Sequence, residues 1–223
     1  MAAPIMLHSV EQVDIPYAQI IRYAGMSRDG VPENINELID KSLVKVQEVI
    51  KYKACYLEVP VNITGDAVSL DCFNVTSKNL SVVLKNCTSA ILVCATLGPM
   101  IDVLVKRAEV GSKAEALILN SVAIAAIEQY MFILNEYFKG QYKEYELRPR
   151  YSPGYGDVPL FVQKDLLNVL DTKRKIGVAL SDSLLMTPSK SVSAIIGLGQ
   201  DGCINIDKDC ELCSKYDCEF RLS

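Results

Sequence analysis

Apolar residues at Ile35, Leu38, Ile39, Leu43, Val46 and Ile50 recur at helical spacing and predict an amphipathic helix from Pro32 to about Tyr52. A brief helix stopped by Gly25 precedes it, within residues Asp14 to Gly25. Residues Cys55 to Ile63 read as a strand, placed at a sheet edge because Pro60 cannot donate to a ladder. Val68 to Phe73 is its candidate hairpin partner, with Gly65 and Asp66 at the turn. Ser77 to Asn86 predicts a short helix, Ser89 to Thr96 a buried strand, and Pro99 opens a helix to Val110.

Ser112 and Glu115 have the spacing of a capping box. The helix they start runs to about Phe138 and is apolar on nearly every face, as expected of a central buried helix. Its polar interruptions, Glu115, Asn120, Ser121, Glu128 and Gln129, argue against a membrane span. Further on, Leu160 to Leu170 is helical, and Ile176–Leu180, Ser183–Met186 and Ser191–Ile196 alternate as strands do. No strand–helix unit repeats. The expected fold class is therefore α+β, a mixed, largely antiparallel sheet packed with helices, spanning residues 1–198, followed by a four-cysteine tail, 199–223.

One stretch breaks the periodicity. Residues Arg148 to Pro159 contain five Pro or Gly in twelve positions, so local chain geometry is expected to set their shape. That frame carries Arg148, Arg150, Tyr151, Ser152, Tyr155 and Asp157. A guanidinium suits a carboxylate or phosphate, and a phenol offers a flat apolar face with a polar tip. The same composition also describes a stiff connector between helices. Glu128 stands out on the apolar helix: it calls for a cation, either Arg148 or Arg150 internally, or the positive charge of a ligand beside the loop.

Charge and composition narrow the partners. The net charge is −4 and the longest basic run is Lys173-Arg174-Lys175, which reads as a solvated turn, so nucleic acid is not an expected partner. The first eight residues lack the basic and apolar regions of a signal peptide, which gives a cytoplasmic expectation with reduced cysteines. His8 is the single histidine, placed in a mobile terminus, so histidine-based catalysis and histidine metal sites are not expected. Gly197, Gly199 and Gly202 match G-x-G-x-x-G, but no helical pattern follows, and the segment reads as a glycine-rich turn. Cys203, Cys210, Cys213 and Cys218 form C-x6-C-x2-C-x4-C, a spacing that can hold zinc or an iron–sulfur cluster, or remain as free or oxidised thiols. Cys55, Cys72, Cys87 and Cys94 lie singly in apolar segments and read as core.

An ordered set of short motifs is more specific than any of these. Arg150-x-Ser152-Pro-Gly154-Tyr155-Gly-Asp157-x-Pro159-Leu160, Gln163, Ile176-Gly-Val-x-Leu180 and Ser183-x-x-Met186-x-Pro188-x-Lys190-Ser191-Val-Ser193 together resemble the activation domain of cobalamin-dependent methionine synthase. Ala95-Thr-Leu-Gly98 and the Glu128 helix extend the resemblance upstream, so that it covers about residues 90 to 198. It implies binding of S-adenosylmethionine and docking on a corrinoid protein or methionine synthase whose cobalamin has become cob(II)alamin. An electron from a flavodoxin- or ferredoxin-type donor and a methyl group from S-adenosylmethionine then restore the cofactor. Downhill methylation would drain the small reduced population as it forms.

By the same resemblance Arg150 meets the ligand carboxylate, and Gly154 and Tyr155 match the family Gly-Tyr pair. Ser152 falls at the adenine side, and Glu128 at the ammonium or ribose hydroxyls. The family's N-terminal ligand aspartate has no clear match beyond Asp14, and the family tyrosine after the last shared strand is replaced by the cysteine tail. No Asp-x-His-x-x-Gly cobalt-ligand loop is present, so the expected role is an accessory one, acting in trans on a separate corrinoid protein. The alternative is a non-catalytic small-ligand or scaffold protein of the same fold with a structural metal at the tail.

Overall fold

A computed structural model describes residues 4–27 and 31–200. Their first strand is β1 (Met6–Val10), followed by α1 (Tyr17–Tyr23), α2 (Glu33–Val49) and β2 (Tyr52–Pro60). Three short strands, β3 (Asn62–Thr64), β4 (Ala67–Ser69) and β5 (Asn74–Thr76), lead into α3 (Lys78–Val83) and β6 (Cys87–Thr96). The helices α4 (Met100–Gly111) and α5 (Lys113–Gln141) come next, then β7 (Glu146–Leu147), α6 (Val162–Val169) and α7 (Thr172–Lys175). The described chain closes with β8 (Ala179–Leu180), β9 (Met186–Thr187) and β10 (Ser191–Gly199).

The main sheet has the order β1-β2-β6-β10-β7, with every neighbouring pair antiparallel. It divides the core in two. Ile91, Val93 and Ala95 of β6, with Ala194, Ile196 and Leu198 of β10, face one hydrophobic layer; the other layer takes Ala90, Leu92, Cys94 and Ile195. Burial on both faces explains why β6 reads as an unbroken apolar run instead of an alternating one. On the first face lie α1, α2, α4 and α5; on the second lie α3, α6 and the small β3–β4–β5 sheet. The α+β, largely antiparallel fold expected from the pattern is the one observed.

The α5 helix is the beam of the first layer. Thirteen of its residues are buried, from Ala116 to Phe138, and it packs against α1, α2 and α4. By length and composition it could cross a membrane, but 61% of its most apolar window is buried inside the fold. Only half of the predicted capping box forms. Ser112 Oγ accepts from the Glu115 amide at 3.2 Å, but the Ser112 amide already donates to the Ala108 carbonyl at 2.8 Å. The Glu115 carboxylate is thus free to accept from Lys45 at 2.5 Å, tying α5 to α2.

Several local expectations change. β2 is not an edge strand: β1 covers Tyr52 to Tyr56, and only the half carrying Pro60 has a single neighbour. Gly65 and Asp66 do make a turn, but between β3 and β4, so Val68 pairs with Ile63 and not with β2. His8 is not in a loose terminus. It sits in β1, with its Nδ1 3.2 Å from the Tyr130 hydroxyl, which in turn donates to the His8 carbonyl at 3.1 Å. Its ring lies 4.7 Å from that of Tyr137. Gly197 and Gly199 belong to β10 and make no turn. A Cβ at Gly197 would stand 2.7 Å from Cys87 Sγ and 2.9 Å from Arg148 Cγ, so close packing requires the glycine there. Of the four scattered cysteines, Cys55, Cys87 and Cys94 are buried as expected, while Cys72 is exposed. The tail cysteines Cys203, Cys210, Cys213 and Cys218 lie outside the described residues.

Candidate functional site

The Pro/Gly-rich loop is held by three different devices. Its first residues extend β7 along the edge of β10: the Arg148 amide donates to the Gly197 carbonyl at 2.9 Å, and Tyr151 and Ile195 exchange two bonds of 2.8 Å. This part is therefore shaped by a strand ladder, contrary to the expectation of purely local geometry. Past Tyr151 the chain turns on itself. The Tyr155 amide donates to the Ser152 carbonyl at 3.1 Å, and Gly154 and Val158 are joined at 3.0 Å. Gly154 and Gly156 take φ values of +89° and +53°, a region that costs other residues strain.

Asp157 supplies the third device. Its carboxylate accepts from the Ser77 hydroxyl, from the Lys78 amide at 2.8 Å and from the Asn79 amide at 3.3 Å, at the start of α3. Burial works to raise its pKa, but the bonds from Ser77, Asn79 and Lys78 outweigh it and hold the carboxyl below its ordinary value. Arg148 is also structural: it is buried and donates to the Lys85 carbonyl at 2.9 Å. So is Gln163, which donates to the Leu184 carbonyl at 3.1 Å and receives Ser193 Oγ at 3.4 Å, linking α6 to β10. The shared Ser-Lys-Ser stretch is pinned likewise, since Asp102 of α4 accepts from the Ser189 amide at 2.8 Å and from its hydroxyl at 2.5 Å.

With those groups committed to scaffolding, the loop presents Arg150, Ser152, Gly154 and Tyr155. Arg150 donates to the Glu128 carboxylate of α5, which settles the choice between Arg148 and Arg150. The two side chains retain 34% and 30% exposure, so the pair lies at the rim of the core and not deep within it. Tyr155, further along the same loop, is 66% exposed, an open aromatic surface. Ser152 is half-buried and Gly154 exposed. Asp14 is exposed just ahead of α1.

A residue that no motif singled out joins the group. Tyr23, the last residue of α1, is half-buried against the main core. Burial raises its pKa, the Glu128 carboxylate raises it further, Arg22 and Arg150 oppose this, and Tyr155 adds to it. Three elements thus converge: α1 brings Tyr23, α5 brings Glu128, and the loop brings Arg150 and Tyr155. A carboxylate, a guanidinium and two phenols on one partly exposed surface can grip a small zwitterion and stack on a flat ring. Nothing in a seven-residue helix indicates which face will meet α5, so Tyr23 carried no signal in the sequence. Among the described residues no cluster of three or more His, Cys, Asp or Glu could hold a metal ion.

The architecture is that of an α+β domain built on a central antiparallel sheet, with a candidate ligand surface at the rim of its helical layer. The sequence model for the activation domain of vitamin B12 dependent methionine synthase matches residues 131–202. Among solved structures, the MetH reactivation domain bound to AdoHcy matches with a TM-score of 0.69 at 13% identity, covering 90% of this chain and 81% of that one. No curated protein sequence matches the chain. The resemblance read from the motifs is thereby supported twice, by the segment that carries the loop and by the fold as a whole. Glu128 lies just before the matched segment; its place in the site rests on its bond to Arg150.

Proposed function

We propose that the chain binds S-adenosylmethionine at the Glu128–Arg150 surface and acts as a reactivation factor for a separate corrinoid protein, with cobalamin-dependent methionine synthase the foremost candidate. The observation that carries this is the Arg150–Glu128 pair, about one-third exposed, on the loop that also presents Tyr155 and in a fold shared with a domain solved with AdoHcy. AdoHcy is the thioether that remains when S-adenosylmethionine has given up its methyl group. The donor set fits such a ligand: Arg150 can turn its fork to the carboxylate, Glu128 can accept from the ammonium, and the exposed Tyr155 ring offers a face to the nucleoside. Ser152 and Gly154 present backbone at the adenine side.

When bound, S-adenosylmethionine supplies an activated methyl group on a sulfonium. The chain's own part is to hold the ligand and to dock on the corrinoid partner; the electron comes from a flavodoxin- or ferredoxin-type donor. No residue of the described site is asked to take part in covalent chemistry, which agrees with an accessory role. The spacing of Cys203, Cys210, Cys213 and Cys218 supports a metal or iron–sulfur cluster at the tail. An iron and zinc assay on anaerobically purified protein decides that point.

The test of the function is to mix the chain with a cob(II)alamin protein that has no activation domain of its own, such as methionine synthase with that domain removed, together with a reductant and S-adenosylmethionine, and to follow the cobalt spectrum. The expected result is conversion to methylcobalamin that requires this chain. Spectra that evolve identically with and without it would contradict the proposal.

A further inference from the structure

The outward face of α5 carries an aromatic ring next to the candidate pair. Phe132 lies four residues beyond Glu128 on that helix and is 58% exposed, on an element that buries thirteen of its residues. Residues four apart on a helix are neighbours, with Cβ atoms about 5–6 Å from each other. A helical side chain also leans toward the helix N-terminus and covers the turn before its own Cα. Both relations bring the Phe132 ring over the turn that carries Glu128, whose carboxylate holds Arg150. Four residues in the other direction stands Ile124, half-buried and aliphatic.

A zwitterionic head with its ammonium on Glu128 fixes how far away the rest of the ligand can reach. In S-adenosylmethionine the sulfonium stands four bonds from the ammonium nitrogen. Extended, that span is about 5 Å, close to the rise of one helical turn. A ligand lying along α5 from Glu128 therefore sets its sulfonium over Phe132 or over Ile124. The face of an aromatic ring attracts a cation through its quadrupole, and an aliphatic chain offers no such field. Ligand that covers the ring also dries it, which strengthens the attraction. Phe132 is the position that stabilises the charge.

We propose that Phe132 is a specificity residue of the site: its ring faces the ligand's sulfonium and so separates S-adenosylmethionine, which carries that charge, from AdoHcy, the neutral thioether left after methyl transfer. The spent ligand is then held less tightly than the loaded one. This inference rests on the S-adenosylmethionine reading above.

The test is calorimetric titration of the unaltered chain, Phe132→Leu and Phe132→Tyr with S-adenosylmethionine and with AdoHcy. Phe132→Leu keeps an apolar side chain and removes the ring. It should weaken S-adenosylmethionine binding by about threefold to thirtyfold, the range for a cation over an aromatic face, and leave AdoHcy unchanged. Phe132→Tyr keeps the ring and should keep the preference of the unaltered chain. A folding defect or a merely apolar contact would reduce binding of both ligands alike, and equal losses in Phe132→Leu therefore overturn the assignment. So does an unchanged affinity of Phe132→Leu for S-adenosylmethionine, or a preference lost in Phe132→Tyr as well. Failure of the unaltered chain to bind S-adenosylmethionine at all is a different outcome: it overturns the parent reading and takes this inference with it.

Discussion

The guanidinium of Arg150 donates to the carboxylate of Glu128 across 22 positions of sequence, joining the exposed loop to the central helix. Both side chains are about one-third exposed, where an ion pair contributes only about 0–1 kcal/mol to stability. Such a pair is cheap to open. A ligand carrying both charges can replace each partner with its own group at little conformational cost, which a deeply buried pair would not allow.

The first prediction follows directly. Glu128→Ala and Arg150→Ala should each change the free energy of urea unfolding by less than about 1 kcal/mol. A loss several times larger would mean that the pair is a structural clamp and not a binding surface.

Asp157 predicts an acid-sensitive loop. Its folded pKa is lowered, so its contribution to stability is complete above the unfolded value of 3.8 and is lost as pH falls through the folded one. Asp157→Asn should therefore weaken the protein at pH 7 and weaken it less at about pH 3, below the unfolded pKa. Urea midpoints for both proteins at the two pH values check the sign.

His8 predicts the reverse of a protonated-histidine clamp. Burial lowers its pKa below 6.5, so the folded state disfavours the charged ring. Stability from this group is complete above pH 6.5 and declines as pH drops through the unfolded pKa toward the folded one. Because His8 is the single histidine, one imidazole resonance reports the titration without ambiguity, and its midpoint should lie below 6.5.

Two glycines are predicted to resist substitution for different reasons. Gly197→Ala inserts a methyl group 2.7 Å from both Cys87 Sγ and Leu84 Cδ2 and should cost about 1–3 kcal/mol by overpacking. Gly156→Ala meets the Tyr151 hydroxyl and Asn79 Nδ2 and also takes a positive φ, so it should disturb the loop that presents Tyr155. Thermal unfolding of the two variants measures both effects.

The sequence showed most of the layout and only half of the site. Long, strongly patterned elements such as α2, α5 and β6 were legible because burial on one face or all faces writes a period into the chain. Glu128 and Arg150 were legible because a charge on an apolar helix must find a partner. What stayed hidden depended on contacts between distant segments. β1 has no pattern of its own until Tyr130 and Tyr137 close over His8. Gly197 resembled a turn because nothing local reveals that Cys87, Leu84 and Arg148 crowd that point of β10. Tyr23 enters the site only through the packing of α1 on α5. Asp157 and Gln163, which stood in the shared motifs with Arg150 and Tyr155, turned out to hold the scaffold.

The central claim is that a partly exposed carboxylate–guanidinium pair receives a zwitterionic sulfonium ligand. Calorimetric titration of S-adenosylmethionine into the unaltered chain and into Arg150→Ala tests it most directly. Saturable one-site binding, weakened about tenfold or more by the substitution, is the predicted result. No heat of binding, or equal affinity in the two proteins, would contradict it.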